Sequence, residues 1–354
     1  MVSPKLTGKV QTVLGTVDAD SLGVTLPHEH IICNLSVYFE EPSSPADKAL
    51  AHQPVALENL YFVRYHCTNN LDNLQLFDEQ TAIDEIFLYK QAGGNTIVDC
   101  SIPAIERNSA ALARISQATG SNIITGAGYY TQPSMPPEFD TKTVEEIADE
   151  IVHDVTVGIG DSGVRAGIIG EIGCSWPWTE NERKSMSAAA SAQHSTGAAI
   201  TIHPGHNKSA PLEIIELLKS KGADLNRVIF GHIGRTLREF EDLRRVAEAG
   251  CYLEYDQFGW EGYNTPMYPD DMPNDAERIN RIAELIASGY VNHILLSQDI
   301  CFKTRLVRYG GHGYIHILRN NVSRMLKTGI SDEDIHTMMV ENPKRVLQFA
   351  QVTT

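Results

Sequence analysis

Four histidines and two carboxylates stand at the ends of short apolar runs spread through the chain: His28, His30, Glu171, His203, His232 and Asp299. Imidazole nitrogens and carboxylate oxygens are ligands for divalent cations, and a parallel barrel gathers residues from its strand ends at one face. His28 and His30 flank Glu29, and because side chains alternate along a strand, the two imidazoles point one way and Glu29 the other. A lone His-x-His pair is weak evidence, since such histidines are more often simply hydrogen-bonded. The other strand ends add the force. His203 closes Ala199-Ile-Thr-Ile-His203, His232 closes Val228-Ile-Phe-Gly-His232, Glu171 closes Gly167-Ile-Ile-Gly-Glu171, and Asp299 follows Ile294-Leu-Leu-Ser-Gln298. These six residues exceed the three or four protein ligands that one catalytic zinc takes, so two ions are expected. A shared carboxylate would hold them close, with a hydroxide between them. Nitrogen and oxygen donors suit zinc, manganese, iron or cobalt, and zinc is the default.

Such ligands need strands that end together. Strand-length apolar runs fall at 23–28, 95–101, 122–128, 167–172, 198–203, 227–232, 251–255 and 293–298. Helical periodicity fills 80–92, 107–119, 143–158, 179–195, 210–220, 237–249, 275–288 and 314–327. Strand then helix, repeated eight times, predicts an α/β fold of the (β/α)8 TIM-barrel type with its site at the C-terminal face. A doubly wound open sheet would read similarly, but no G-x-G-x-x-G follows the first strand. Ser331 to Asp334 resembles a capping box, and Asn342-Pro343 interrupts the helix it opens, so two short helices should close the barrel's base. The irregular stretch at about 34–78, after the first strand, is expected to extend over the C-terminal face as an insertion within a single domain spanning 1–354.

The net charge of −16 argues against a nucleic-acid partner, which calls for basic stripes. No apolar run reaches the length of a membrane span, and residues 1–10 contain no apolar segment of signal-peptide type, so a cytoplasmic protein is expected. Six cysteines are spread singly, as buried reduced thiols would be, Cys174 included despite its place three residues after Glu171. His52, His66, His153, His194 and His336 lie in loops or helical patterns and read as solvated or packing residues, whereas His206, His312 and His316 are candidates to support the ligands. A homodimer is compatible with the sequence, which shows no surface.

Taken in order, Thr25-Leu-Pro-His-Glu-His30, the acid of strand four, one histidine each on strands five and six and the aspartate after strand eight resemble the phosphotriesterase family of the amidohydrolase superfamily, specifically its phosphotriesterase-related branch. The likeness covers essentially the whole chain and includes Ile168-Ile-Gly-Glu-Ile-Gly-Cys-Ser-Trp-Pro177, Gly250-Cys-Tyr-Leu-Glu-Tyr-Asp256, Lys303-Thr-Arg-Leu306 and Tyr309-Gly-Gly-His-Gly-Tyr314. The resemblance implies that His28, His30 and Asp299 hold a buried metal, that His203 and His232 hold a more exposed one, and that Glu171 bridges both. In bacterial phosphotriesterases and the related lactonases the bridge is a carboxylated lysine; Glu171 stands in its place here.

It further implies an amide hydrolase acting on N-acetyltaurine, in which a metal-bridging hydroxide attacks the acetyl carbonyl and Asp299 carries the proton to the leaving nitrogen. A lactonase or phosphotriesterase on the same centre is the alternative, and a metal-stabilised binding protein a more distant one. An anionic N-acyl substrate needs a cation, and Arg235, Lys303 and Arg305 follow the sixth and eighth strands. Each is equally a loop salt-bridge partner. Tyr130, after strand three, either donates to the substrate or the bridging water or packs at the rim, and Trp176 and Trp178 either wall an acyl pocket or pack as ordinary aromatics.

Overall fold

Alternation along the strands sorts the core into two layers. Val98, Ile124, Ile168, Ala199, Ile229 and Leu295 share one buried cluster, while their chain neighbours Ile97, Ile123, Ile169, Ile200, Val228 and Leu296 belong to another that includes the helices. Inward and outward residues thus differ by one step, as the two-residue period of a strand requires. Each isoleucine removed from water on either face contributes about 1.5–3 kcal/mol.

The computed structural model describes residues 6–261 and 271–352. Eight parallel strands form one sheet in chain order. They are β1 (Val24–Glu29), β2 (Gly94–Asp99), β3 (Asn122–Ala127), β4 (Ile168–Gly173), β5 (Ile200–His203), β6 (Val228–Phe230), β7 (Tyr252–Tyr255) and β8 (Ile294–Leu296). β1 and β8 meet across a seam. There the Asp299 amide donates to the His28 carbonyl at 3.2 Å and the His30 amide to the Ile300 carbonyl at 3.3 Å, and the His28 amide donates to Ser297 Oγ at 3.1 Å. This is the expected α/β barrel, with each strand falling within or beside its predicted stretch.

Helices occupy the stretches where the periodicity puts them, opened by side-chain caps at Thr143 with Glu146, Thr179 with Glu182 and Asn274 with Glu277. A hairpin, Lys9–Thr12 with Gly15–Asp18, precedes the barrel, and its Val10 joins the inner cluster together with Leu22, Val346 and Leu347. The two expected C-terminal helices are Asp332–His336, capped by Ser331, and Asn342–Leu347. A π-helical segment, Thr337–Glu341, joins them; its wider turn absorbs Pro343, which has no amide hydrogen to give.

The insertion leaves and re-enters the barrel at one place, because Cys33–Asn34 pairs antiparallel with Gln75–Leu76. Between lie the helices Pro45–Ala51 and Leu60–Val63, with Val55, Phe62 and Val63 in a small cluster of their own. Its far end is tied to the loop after β8, where the Thr304 amide donates to Asn73 Oδ1 at 3.0 Å.

Two strands stop earlier than the apolar pattern suggests. β6 ends at Phe230 and β8 at Leu296, and His232 and Asp299 then adopt positive φ, 53° and 50°. Non-glycine residues seldom take that conformation, and it is found where a turn must aim a side chain.

Candidate metal centre

Counting upward by two along the inward faces leads from the apolar floor to the site: Ala199, Thr201, His203; Tyr252, Glu254, Asp256; Leu295, Ser297, Asp299. The strands therefore convert one parity into a hydrophobic plug below and a polar cluster above.

Glu171 lies at the middle of that cluster. Its Oε1 is 2.9 Å from His232 Nε2, 3.0 Å from His203 Nδ1 and 3.4 Å from His28 Nε2, and its Oε2 is 3.9 Å from His30 Nε2. Asp299 Oδ1 stands 3.4 Å from His30 Nε2 and 3.9 Å from His28 Nε2. Two overlapping groups, His28 with His30 and Asp299, and His28 with Glu171 and His232, each bring their ligand atoms within 4.8 Å of one another. All six residues singled out from the sequence thus converge, and all but His203, which is partly exposed, are buried.

Two acids, one in β7 and one just after it, complete the cluster and were not singled out from the sequence. Glu254 Oε2 lies 3.0 Å from His28 Nδ1, and Asp256 lies 3.2 Å from His28 Nδ1 and 3.1 Å from His232 Nδ1 while accepting the His232 amide. Their signal is the same as that of His28 and His30: two ionisable residues two apart at a strand end. Ser101 Oγ, 3.0 Å from His30 Nδ1, plays the same part for that ring.

Burial opposes ionisation of Glu171, Glu254 and Asp299. For Glu171 the facing imidazoles of His28, His203 and His232 win, and its carboxyl lies well below the usual range. Asp299 is also lowered, against desolvation, by His232, His30 and His28. Desolvation takes His203 down to about 4, so it presents a neutral ring. His206, at the cavity rim, is lowered by desolvation and then by the Arg235 charge.

The donor set fits divalent cations. Among the described residues no lysine pairs with Glu171, Glu254, Asp256 or Asp299, so four clustered carboxylates lack fixed positive charge beyond the imidazoles. His28 Nε2 is buried and makes no hydrogen bond, although its other nitrogen is held by Glu254. A buried nitrogen fixed on one side and bare on the other is what a ligand to metal looks like before the ion is counted.

Above the cluster lies a cavity of about 300 Å³, lined by His30, Tyr38, Tyr130, Trp176, His203, His206, His232, Trp260, Asp299 and Phe302 among others. Tyr130 places its hydroxyl 3.0 Å from His203 Nδ1. Trp176 faces the cavity, whereas Trp178 packs under Arg183, whose guanidinium carbon is 4.1 Å from its ring centre. The three cations are placed differently. Arg235 sits behind the cavity wall, Nη1 at 2.8 Å from His206 Nδ1 and Nη2 at 3.5 Å from His203 Nε2. Lys303 is paired with Asp72 of the insertion at 2.6 Å. Arg305 donates to the Phe258 and Gln298 carbonyls and lines a neighbouring cavity of about 410 Å³. Of the other supporting candidates, His316 is bound to Asp275 at 2.7 Å and lies against the His312 ring, tilted to it by 36°, both away from the cluster.

A parallel barrel with buried imidazoles and carboxylates crowded at the C-terminal ends of its strands defines a metal-dependent hydrolase. The phosphotriesterase family profile matches residues 8–347, and the chain belongs to that family. It is 44% identical to the N-acetyltaurine hydrolase of Dictyostelium discoideum, over 96% of this chain and 98% of that protein, and 41% identical to that of Homo sapiens, over 97% and 99%. Among solved structures it resembles a resiniferatoxin-binding protein from Rhodobacter sphaeroides, with TM-score 0.94 and 34% identity over 98% of this chain and 97% of that one. No helix among the described residues is long and apolar enough to cross a membrane.

Proposed function

We propose that the chain hydrolyses N-acetyltaurine to taurine and acetate, using two divalent ions with zinc as the first assignment. The observation that carries this reading is the identity of 41–44% over nearly the whole of both chains with proteins of that activity. The site supports it: a cavity of about 300 Å³ over the histidine and carboxylate cluster suits a short N-acyl substrate better than a bulky triester.

His28, His30 and Asp299 would hold one ion, His203 and His232 the other, and Glu171 would span both. Such a pair supplies an ionised water at neutral pH and a Lewis acid for the acyl oxygen. The remaining work falls to this chain's side chains. Asp299, ionised and next to His30, takes a proton from the attacking water and delivers it to the amide nitrogen as the carbon–nitrogen bond breaks. Tyr130, with its hydroxyl in the cavity, donates to the substrate oxygen. Glu254, Asp256 and Ser101 hold the three rings whose nitrogens they face. Of the cations, Arg235 alone stands against the cavity wall, and it is the one assigned to the sulfonate.

The test is taurine release by the zinc-loaded protein beside an Asp299→Asn variant. Release that falls by about 10²–10⁴ in the variant supports the assignment. Release from lactones or phosphotriesters but not from N-acetyltaurine would move the chain to the ester-cleaving members of its family, and undiminished turnover in the variant would remove Asp299 from the proton path.

A further inference from the structure

We infer that Trp260 and Phe302 set the length of the acyl group this chain accepts, by closing the acyl end of the cavity against a second cavity behind them. This rests on the reading above and narrows its substrate class to short N-acyl chains.

The two cavities share a wall. Trp260 and Phe302 line both the one of about 300 Å³ over the cluster and the neighbouring one of about 410 Å³. Their rings meet edge to face, 5.5 Å between centres and 78° between planes, and both are buried in one apolar cluster with Leu35 and Cys301. The wall is fixed from both sides. Arg305 Nη2 donates to the carbonyls of Phe258, in the loop after β7, and of Gln298, after β8, and its guanidinium carbon lies 5.0 Å from the Trp260 ring centre. Arg278 Nη2 donates to the Trp260 carbonyl at 2.7 Å. One arginine thus ties together the two loops that carry the rings.

Polarity decides which end of the substrate meets that wall. In a barrel of eight strands in chain order, the loops after β1 and β8 stand across from those after β4 and β5. The first pair brings Leu35, Cys301 and Phe302 to the cavity, and the second brings Ser175 and His206. A sulfonate set against the apolar side would lose its hydration with nothing to replace it. With the amide carbonyl at the cluster between the two sides, the amine end points to the polar side and the acyl end to Phe302. An acyl chain lengthened by methylenes then runs into the two rings, in a wall too well tied to give way. Room for it lies only beyond them, in the cavity that Leu60 and Cys67 help to line.

The experiment compares N-acetyltaurine with N-hexanoyltaurine on the zinc-loaded protein, and adds calorimetric binding of acetate and hexanoate, which needs no turnover. In the wild type, kcat/KM should fall roughly hundredfold or more from the acetyl to the hexanoyl substrate. Phe302→Ala should raise the hexanoyl value roughly tenfold or more while lowering the acetyl one, and should shift binding toward hexanoate in the same sense. Such a crossover separates a specificity role from structural damage, which lowers both substrates together. Phe302→Val and Trp260→Phe, smaller changes to the same wall, should move the ratio in the same direction and decide the matter if the alanine variant does not fold. A wild type indifferent to chain length, or a hexanoyl-to-acetyl ratio unchanged in the folded variants, would overturn the partition while leaving the hydrolase reading intact. A wild type that cleaves neither substrate, but whose binding is shifted from acetate toward hexanoate by Phe302→Ala, would do the reverse.

Discussion

Glu254 Oε2 stands 3.0 Å from His28 Nδ1, on the side of the ring turned away from Glu171. An acceptor at that nitrogen fixes the tautomer that leaves Nε2 bare for an ion, and it raises the ring's basicity as a ligand. Neutralising it leaves Asp256, at 3.2 Å, as the one carboxylate on that nitrogen and weakens the hold on the tautomer.

The Glu254→Gln variant should therefore bind metal about 10–100-fold more weakly while remaining folded. Competition with a chromophoric chelator measures this. Wild-type affinity in the variant would assign Glu254 to packing alone.

Glu29 faces away from the histidine and carboxylate cluster, as alternation requires, and does a different job. Its carboxylate accepts the Gln298 and Ile300 amides at 2.8 Å each, and the Ser297 hydroxyl at 2.8 Å. Those residues flank Asp299, so one buried acid sets the backbone that carries a candidate ligand and closes the β1–β8 seam. Glu29→Gln replaces one accepting oxygen with a donor and strands a buried amide, at a cost of about 1–3 kcal/mol. The denaturation midpoint should fall accordingly; a midpoint equal to wild type would show that the seam does not depend on this residue.

How much of this can be read from the residues alone differs by level. Strand positions and the six candidate ligands are legible because both obey short-range rules: period two inside a strand, ligand types at its end. Glu254 and Asp256 obey the same rule but stand beside Tyr252 and Tyr255 in a stretch that reads as apolar core, which masks their charge. Long-range pairing is illegible. Lys303 is bound by Asp72, 231 residues away, and Arg305 by the carbonyls of Phe258 and Gln298; nothing local to either residue distinguishes it from Arg235. The positive φ of His232 and Asp299 is also a tertiary fact, imposed where the strand must bend to point a side chain inward.

Asp275 supplies a pH test away from the metal cluster. Burial would raise its carboxyl, but hydrogen bonds from His316 and the Gly259 amide, with the Arg278 charge, hold it well below the ordinary range. Because the folded value is depressed, its contribution to stability is complete above the unfolded carboxyl's pKa and is lost as pH falls toward the folded one. Asp275→Asn leaves Arg278, only 2% exposed, without its partner, which should cost about 3–5 kcal/mol near neutrality. The stability gap between wild type and variant, measured by denaturant titration at pH 7 and again near pH 3, should narrow in acid. A gap that is constant across that range would exclude ionisation of Asp275 as its source.

Gly126 in β3 tests the spacing that places Glu171. A Cβ at Gly126 would fall 1.7 Å from the carbonyl oxygen of Gly170, the residue just before Glu171. No rotamer relieves a clash between a Cβ and a neighbouring backbone, so Gly126→Ala can be accommodated only by moving β3 and β4 apart. That movement breaks the ladder from Gly126 and Ala127 to Ile168 and Ile169 and carries the central carboxylate with it. The variant should lose metal affinity and stability together, by about 1–3 kcal/mol in the latter if it folds at all. Gly128→Ala is the comparison, since the nearest obstacle to its Cβ is the tip of the Ile172 side chain at 2.5 Å, which can turn away even though the positive φ adds strain of its own. Metal titration of both variants decides the matter: wild-type affinity in Gly126→Ala would mean that the barrel yields at this point without displacing Glu171.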